Sequence, residues 1–312
     1  PRGYLSAAPL ESPPAIPSDA SGRRELAEWI IRKDNPLTDR VAVNRVWQHL
    51  FGEGLVATVD NFGLHGERPT HPELLDYLAL EFQNDGRSVK RLIRRLVLTR
   101  AYGLSSHAEP ELLAADPQNQ LLGRARLRRL EAEALRDAVL HTAGRLKLSP
   151  PAGSIVTGFG EQLVQDKLSP EEFHAASDHR SVYLPVVRNA VPDVLQLFDF
   201  PDPSLVVGRR DETSVPAQDL FLINSPFVVE QSRRFAARLL TEPLADDAAR
   251  IHRGYRLALA RPATAAEQEA ALAYLEQSCR EAAAEEEPAR REEAWASFCQ
   301  ALFLSSEFRY LD

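Results

Sequence analysis

Apolar residues in this chain recur at the spacing of an α-helix, and glycine or proline punctuates the runs. The clearest case is "NPLTDRVAVNRVWQHLFG", residues 35–52. Val43, Val46, Trp47, Leu50 and Phe51 stand at i, i+3, i+4, i+7 and i+8, which is one face of a helix. Pro36 suits the first turn, where its missing N–H costs nothing, and Gly52 closes the helix. The same period puts Leu26, Trp29 and Ile30 on a helix that stops before Pro36. It puts Leu74, Leu75, Leu78 and Phe82 on one face of "HPELLDYLALEF". In "SVKRLIRRLVLTR" it aligns Val89, Leu92, Ile93, Leu96 and Val97, with Ser88 as N-cap. Residues 101–120 read as loop, and "RLRRLEAEALRDAVLHTAGRL" predicts a helix ending near Gly144.

The texture changes over residues 148–215, where proline and glycine recur and the helical period fades. "RSVYLPVVRNAVP" has the β-branched and aromatic content of a strand, with Pro185 confining it to an edge. Helical signals return in "AQDLFLINSPFVVEQSRRFAARLL", which Pro226 kinks or breaks. Three further helices follow at about 245–260, 264–286 and 289–307, and Thr264 with Glu267 forms a capping box on the second. The expected fold is mainly α. Bundle-like helical groups at 23–147 and 216–312 flank a loop-rich insertion, 148–215, containing a little β. Residues 1–22 read as a proline-rich lead-in, and 23–312 as a single domain.

With 312 residues, 44% of them hydrophobic, the chain can bury a substantial core. A net charge of −8 argues against a general nucleic-acid binder, which needs a basic field to displace counterions. No apolar run approaches the roughly 18 residues that cross a bilayer, so no membrane span is expected. The sequence begins at Pro1 and holds no methionine, and the expectation is a cut within a longer polypeptide. Cys279 and Cys299 belong to no C-x-x-C pair. They read as two small buried side chains, with a disulfide between packed helices as the alternative.

Several stretches invite chemistry. "DNFGLHGERPTHPELLD", residues 60–76, is dense in titratable groups. Thr70 and Glu73 match a capping box around Pro72, and Gly63 and Gly66 suit turns. His65 and His71 are left without a local task, and with His49 and Asp60 they form a candidate metal set. Asp60 with Glu73 is also a candidate carboxylate pair. In "RLRRLEAEALRD", Arg129, Glu133 and Asp137 form one helical stripe, with Glu131 and Arg136 close by. That stripe is either a cation-tuned acid–base pair or an ion-pair network tying the helix to its neighbours. Arg180, Tyr183, Arg188 and Asn189, with Asp193, Asp199 and Asp202, suit carbohydrate or peptide binding, or the hydrogen bonding of a long loop. Asn224 and Ser225 read as caps after a helix break, since no nucleophile elbow or glycine-rich phosphate loop occurs.

Six blocks in order, among them "RRLEAEALRDAVL", "VPAQDLFLINSPFV", "YRLALARPAT" and "FCQALFLSSEFRYLD", carry a resemblance. The chain resembles the C-terminal domain of unknown function of the large cytochrome-c-associated proteins of planctomycetes. The resemblance implies an exported protein, with this domain outside the cytoplasm and upstream domains of the same polypeptide as partners. It implies haem only upstream and no cofactor in this chain, which has no C-x-x-C-H. It transfers no catalytic residue. The expected function is a non-catalytic docking or ligand-binding module with a link to polysaccharide handling. The alternatives are a polysaccharide hydrolase or lyase using paired carboxylates, and a metal-dependent oxidoreductase using His49, His65 and His71.

Overall fold

The computed structural model describes residues 2–6, 8, 10–154, 177–188, 191–281 and 286–311. It is mainly helical, as the apolar periods predict, and among the described residues the regular β structure is a two-stranded sheet of Arg128–Arg129 and Tyr310–Leu311. Contacts divide the chain into two compact units, Pro1–Arg128 and Arg129–Leu311.

In the first unit, α2 (Thr38–Phe51) packs against α3 (Pro72–Asn84) and α4 (Val89–Val97). Val43, Trp47, Leu55, Val56, Leu75, Leu78, Phe82, Leu92 and Leu96 form the core. Trp47 and Phe51 stack with ring centroids 4.0 Å apart. Gly52 ends α2 at φ 86°, a left-handed conformation that favours glycine. Asn44 is fully buried and holds the following turn through both amide atoms, which bond the Val56 N–H at 2.9 Å and its carbonyl at 3.0 Å. Asp39, also buried, receives Arg87 at 2.7 Å and Gln83 at 3.0 Å. Burial pushes the Asp39 carboxyl up, but those hydrogen bonds outweigh it and hold the group below its usual range. Residues before α1 (Arg23–Ile31) lie against that helix: Tyr4 stacks on Trp29 at 5.5 Å, and its hydroxyl donates to the Pro14 carbonyl at 2.7 Å.

The second unit is built round α9 (Pro226–Thr241) and α12 (Glu287–Leu304), which pack along each other. Around them lie α6 (Ala132–Thr142), α7 (Asp193–Leu197), α8 (Pro216–Asn224), α10 (Asp247–Leu259), α11 (Ala265–Glu281) and α13 (Ser306–Arg309). Phe235, Trp295, Cys299, Phe303, Leu239 and Ile251 are fully or almost fully buried here. Pro226 breaks the long apolar run into α8 and α9, with Ser225 at the junction.

Several local expectations change. The capping box at Thr70 does not form. His71 is the N-cap of α3, and the Thr70 N–H and hydroxyl both donate to the Leu55 carbonyl, at 2.9 and 3.3 Å. The matching box at Thr264 does form. The Thr264 N–H donates to Glu267 at 2.7 Å, and the Glu267 N–H to the Thr264 hydroxyl at 3.3 Å. Of the strand expected in 180–192, Ser181–Tyr183 form a 3-10 turn instead, because the Ser181 N–H and hydroxyl are taken by the Asp137 carboxylate, and residues 189–190 lie outside the described residues. Residues 110–115, read as loop, form the short helix α5 (Pro110–Ala115). The helix expected from residue 126 begins at Ala132, since the Leu130 N–H donates to the Arg309 carbonyl. Cys279 and Cys299 are both free thiols.

Candidate functional site

Polar residues of α6 and of the stretch that follows it form an extended hydrogen-bonded constellation in the second unit. Arg129, 8% exposed, sits just before α6. Its guanidinium donates to Asp199 Oδ2 at 2.6 Å, to the Phe198 carbonyl at 3.2 Å and to the Thr213 carbonyl at 2.5 Å. Asp199 has φ 61°, a conformation aspartate tolerates better than most residues. It also accepts from the Thr213 N–H at 2.8 Å and the Thr213 hydroxyl at 2.9 Å. Burial raises the Asp199 carboxyl, and Arg129 with Thr213 more than reverses this, leaving it below its ordinary value. Gln218 completes the knot, donating to the Leu197 carbonyl at 2.8 Å and the Thr213 carbonyl at 3.1 Å.

One turn along α6, Glu133 accepts both guanidinium arms of Arg210, at 2.6 and 2.9 Å. The same guanidinium lies 5.4 Å from the Phe200 ring and 3.4 Å from Glu131. The Glu133 hydrogen bond is the main cause of the upward shift of Arg210. A further turn along, Asp137 accepts the Ser181 N–H at 2.8 Å and hydroxyl at 2.7 Å, with Arg180 at 3.6 Å. Next to it, Arg136 is 1% exposed. It donates to the His179 carbonyl at 3.1 Å, the Ser181 hydroxyl at 3.2 Å and the Ser177 carbonyl at 2.6 Å. Burial pushes the Arg136 guanidinium down from its usual value.

Arg129, Glu133 and Asp137 thus grip three different points after α6: Asp199 just past α7, Arg210 in the loop before α8, and Ser181 at the 3-10 turn. A bidentate arginine–carboxylate pair and carboxylates receiving backbone N–H groups are strong hydrogen bonds with fixed geometry. They supply what a segment without a β-ladder lacks, namely partners for its buried polar groups.

The other sequence candidates are more dispersed. Tyr183 and Arg188 are exposed on the same segment as Arg180, and Asn189 lies outside the described residues. In the first unit, His49 is exposed in the last turn of α2, where its carbonyl accepts from Arg128 at 2.8 Å. His65 and Asp60 are exposed in the loop before α3. His71 Nδ1 lies 3.0 Å from the Thr70 hydroxyl, and Glu73 is exposed in the first turn of α3. Among the described residues, no three His, Cys, Asp or Glu side chains group in a way that could hold a metal ion. Gly66 is required by the loop itself, since a methyl group there would collide with the Asn61 carbonyl oxygen.

Two features escaped sequence reading. Arg210 pairs with Glu133 from 77 residues away, and no local spacing signals it. A cleft of about 790 Å³ opens between α11, α12 and the start of α10. Leu272, Leu275 and Trp295 line it together with Glu276, Arg280, Glu287 and Arg291. Its size falls within the roughly 300–1,000 Å³ common for small-molecule pockets.

These features define a mainly helical protein in which ion pairs at the start of α6 hold the residues that follow it in place. The chain belongs to the PSD1 family, proteins of unknown function (DUF1553), which it matches over residues 22–275. No curated protein and no solved structure matches it. No helix among the described residues is long and apolar enough to cross a membrane.

Proposed function

We propose that the chain is a non-catalytic ligand-binding and docking module of a larger exported, cytochrome-associated protein that handles polysaccharide. One observation supports this reading above others. Glu133 and Asp137, the carboxylates four residues apart on α6, are engaged by Arg210 and Ser181 and so anchor the backbone at those two points. A glycosidase needs two carboxyl groups about 5 to 9.5 Å apart across a groove open to substrate, and a carboxylate chelated by arginine is poorly placed to move a proton. The resemblance to cytochrome-associated proteins supports the export, the haem-bearing upstream partner and the polysaccharide link. On this reading the ligand seats in the cleft beside Leu272 and Trp295.

The test is binding to a polysaccharide panel with product analysis, on the whole chain and on Glu133→Gln and Leu272→Asn. The reading predicts binding without product, weakened by Leu272→Asn. Product formation that Glu133→Gln abolishes without altering the melting temperature contradicts it.

A further inference from the structure

The sequence gives α4 five apolar positions at helical spacing, yet the first unit covers only part of them. Leu92 and Leu96 are 3% and 2% exposed, while Val89 and Ile93, one turn apart on the adjoining strip, are 49% and 38% exposed. Lys90 and Arg94 stand beside that strip and Arg91 at the far margin of the same exposed face, and Arg100 follows just after the helix; all four are exposed. None of these four cations makes an ion pair among the described residues, whereas Arg95, on the side facing α3, binds Glu81 and Asp85. No acidic residue lies on α4, and Leu98, 71% exposed, is the residue that caps its end. A helix with cations bordering branched apolar side chains has the pattern of a segment that lies in a membrane interface.

We propose that this face of α4 is a peripheral docking surface for a bilayer rich in anionic phospholipid. Charge complementarity identifies the partner as anionic. The uncovered Val89 and Ile93 favour a lipid interface over a purely polar polyanion, because they would enter the headgroup boundary while the cations meet phosphates. A long cationic side chain reaches the headgroup plane with its aliphatic stem against the apolar strip. The chain as a whole is acidic at −8, so attachment depends on this local face and not on net charge.

The experiment is flotation of the whole chain with vesicles of phosphatidylcholine, with and without phosphatidylglycerol. The expected result is partition onto the anionic vesicles alone, lost on raising the salt concentration. Each cation near such a surface contributes about fivefold. The triple change Lys90→Ala, Arg91→Ala, Arg94→Ala should therefore weaken partition by about a hundredfold. A distributed control, Arg209→Ala, Arg233→Ala, Arg256→Ala, alters net charge equally and should leave it within about fivefold of the wild type. The salt titration tests the wild type even if the triple variant misfolds. The proposal is overturned by equal partition onto neutral and anionic vesicles, by no partition at all, or by equal losses in the two triple variants. Binding to a polyglutamate peptide without binding to vesicles also overturns it, and assigns the face to an acidic polypeptide.

Discussion

Replacing Arg129 by methionine keeps much of the aliphatic stem and removes the guanidinium that ties the start of α6 to the irregular segment. The side chains of Arg129 and Asp199 are 5% and 15% exposed, so the pair counts as largely buried. Removing one partner of such a pair costs about 3–5 kcal/mol, because the other charge stays buried without compensation. Asp199 would keep the Thr213 N–H and hydroxyl, so the expectation lies at the lower end, about 3 kcal/mol. For a folding unit of this size, each kcal/mol lowers the melting temperature by about 2–4 °C, giving a fall of roughly 6–12 °C. The Asp199 carboxyl lies below its ordinary value of 3.8, so its contribution is present above pH 3.8 and is lost as the pH falls below it. Arg129→Met should remove part of that acid sensitivity as well. Thermal unfolding followed by circular dichroism, at neutral pH and across the acid range, is the assay. A variant that melts with the wild type at neutral pH would refute the reasoning.

Other expectations follow from the same geometry. Hydrogen bonds from Arg261 and then from the Thr264 amide push the Glu267 carboxyl down from 4.5 to about 2. Stability from that group is therefore present above pH 4.5 and lost as the pH falls toward 2, and Glu267→Gln should flatten the melting profile in that window. Thr264→Ala should destabilise by about 1 kcal/mol in denaturant titrations, whereas Glu73→Ala should change stability by less than about 0.5 kcal/mol, because only the Thr264 box is formed. If the two substitutions cost the same, the assignment of the caps is wrong. Cys299 is fully buried and its thiol is pushed well up by burial, while Cys279 is partly exposed. A thiol reagent should label one cysteine in the native protein and both after unfolding. Native labelling of both would contradict the packing of Cys299 on α12, and labelling of neither the exposure of Cys279 on α11.

The helices of both units were legible because a buried face needs only a period, and Val43, Trp47, Leu75 and Phe82 display it. The period identifies a face but not what covers it. Leu26 and Ile30, at 45% and 40% exposed, share the spacing of buried Trp29 without sharing its burial. Capping sequences were legible only where no tertiary acceptor competed. Thr264 keeps its box, and Thr70 gives its hydroxyl to Leu55 instead. The segment at 180–188 has strand-like composition, but Asp137 supplies the hydrogen bonds a neighbouring strand would have given. For the candidate site, the pairing of Glu133 with Asp137 on one face follows from helical geometry, whereas Arg129 falls before α6, in the two-residue strand Arg128–Arg129, and joins the site only through tertiary contacts. Its partners Asp199, Arg210 and Ser181 lie 44 to 77 residues downstream, and no periodic signal links them to α6.

The central claim is that the carboxylates of α6 hold the irregular segment and are not kept free for proton transfer. A double-mutant cycle on Glu133→Gln and Arg210→Gln, followed by denaturant unfolding, measures this directly. The bidentate pair, with side chains 24% and 30% exposed, should show a coupling of about 1–2 kcal/mol. Additive effects with no coupling, in a protein as stable as the wild type, would show that Glu133 is not engaged and contradict the account.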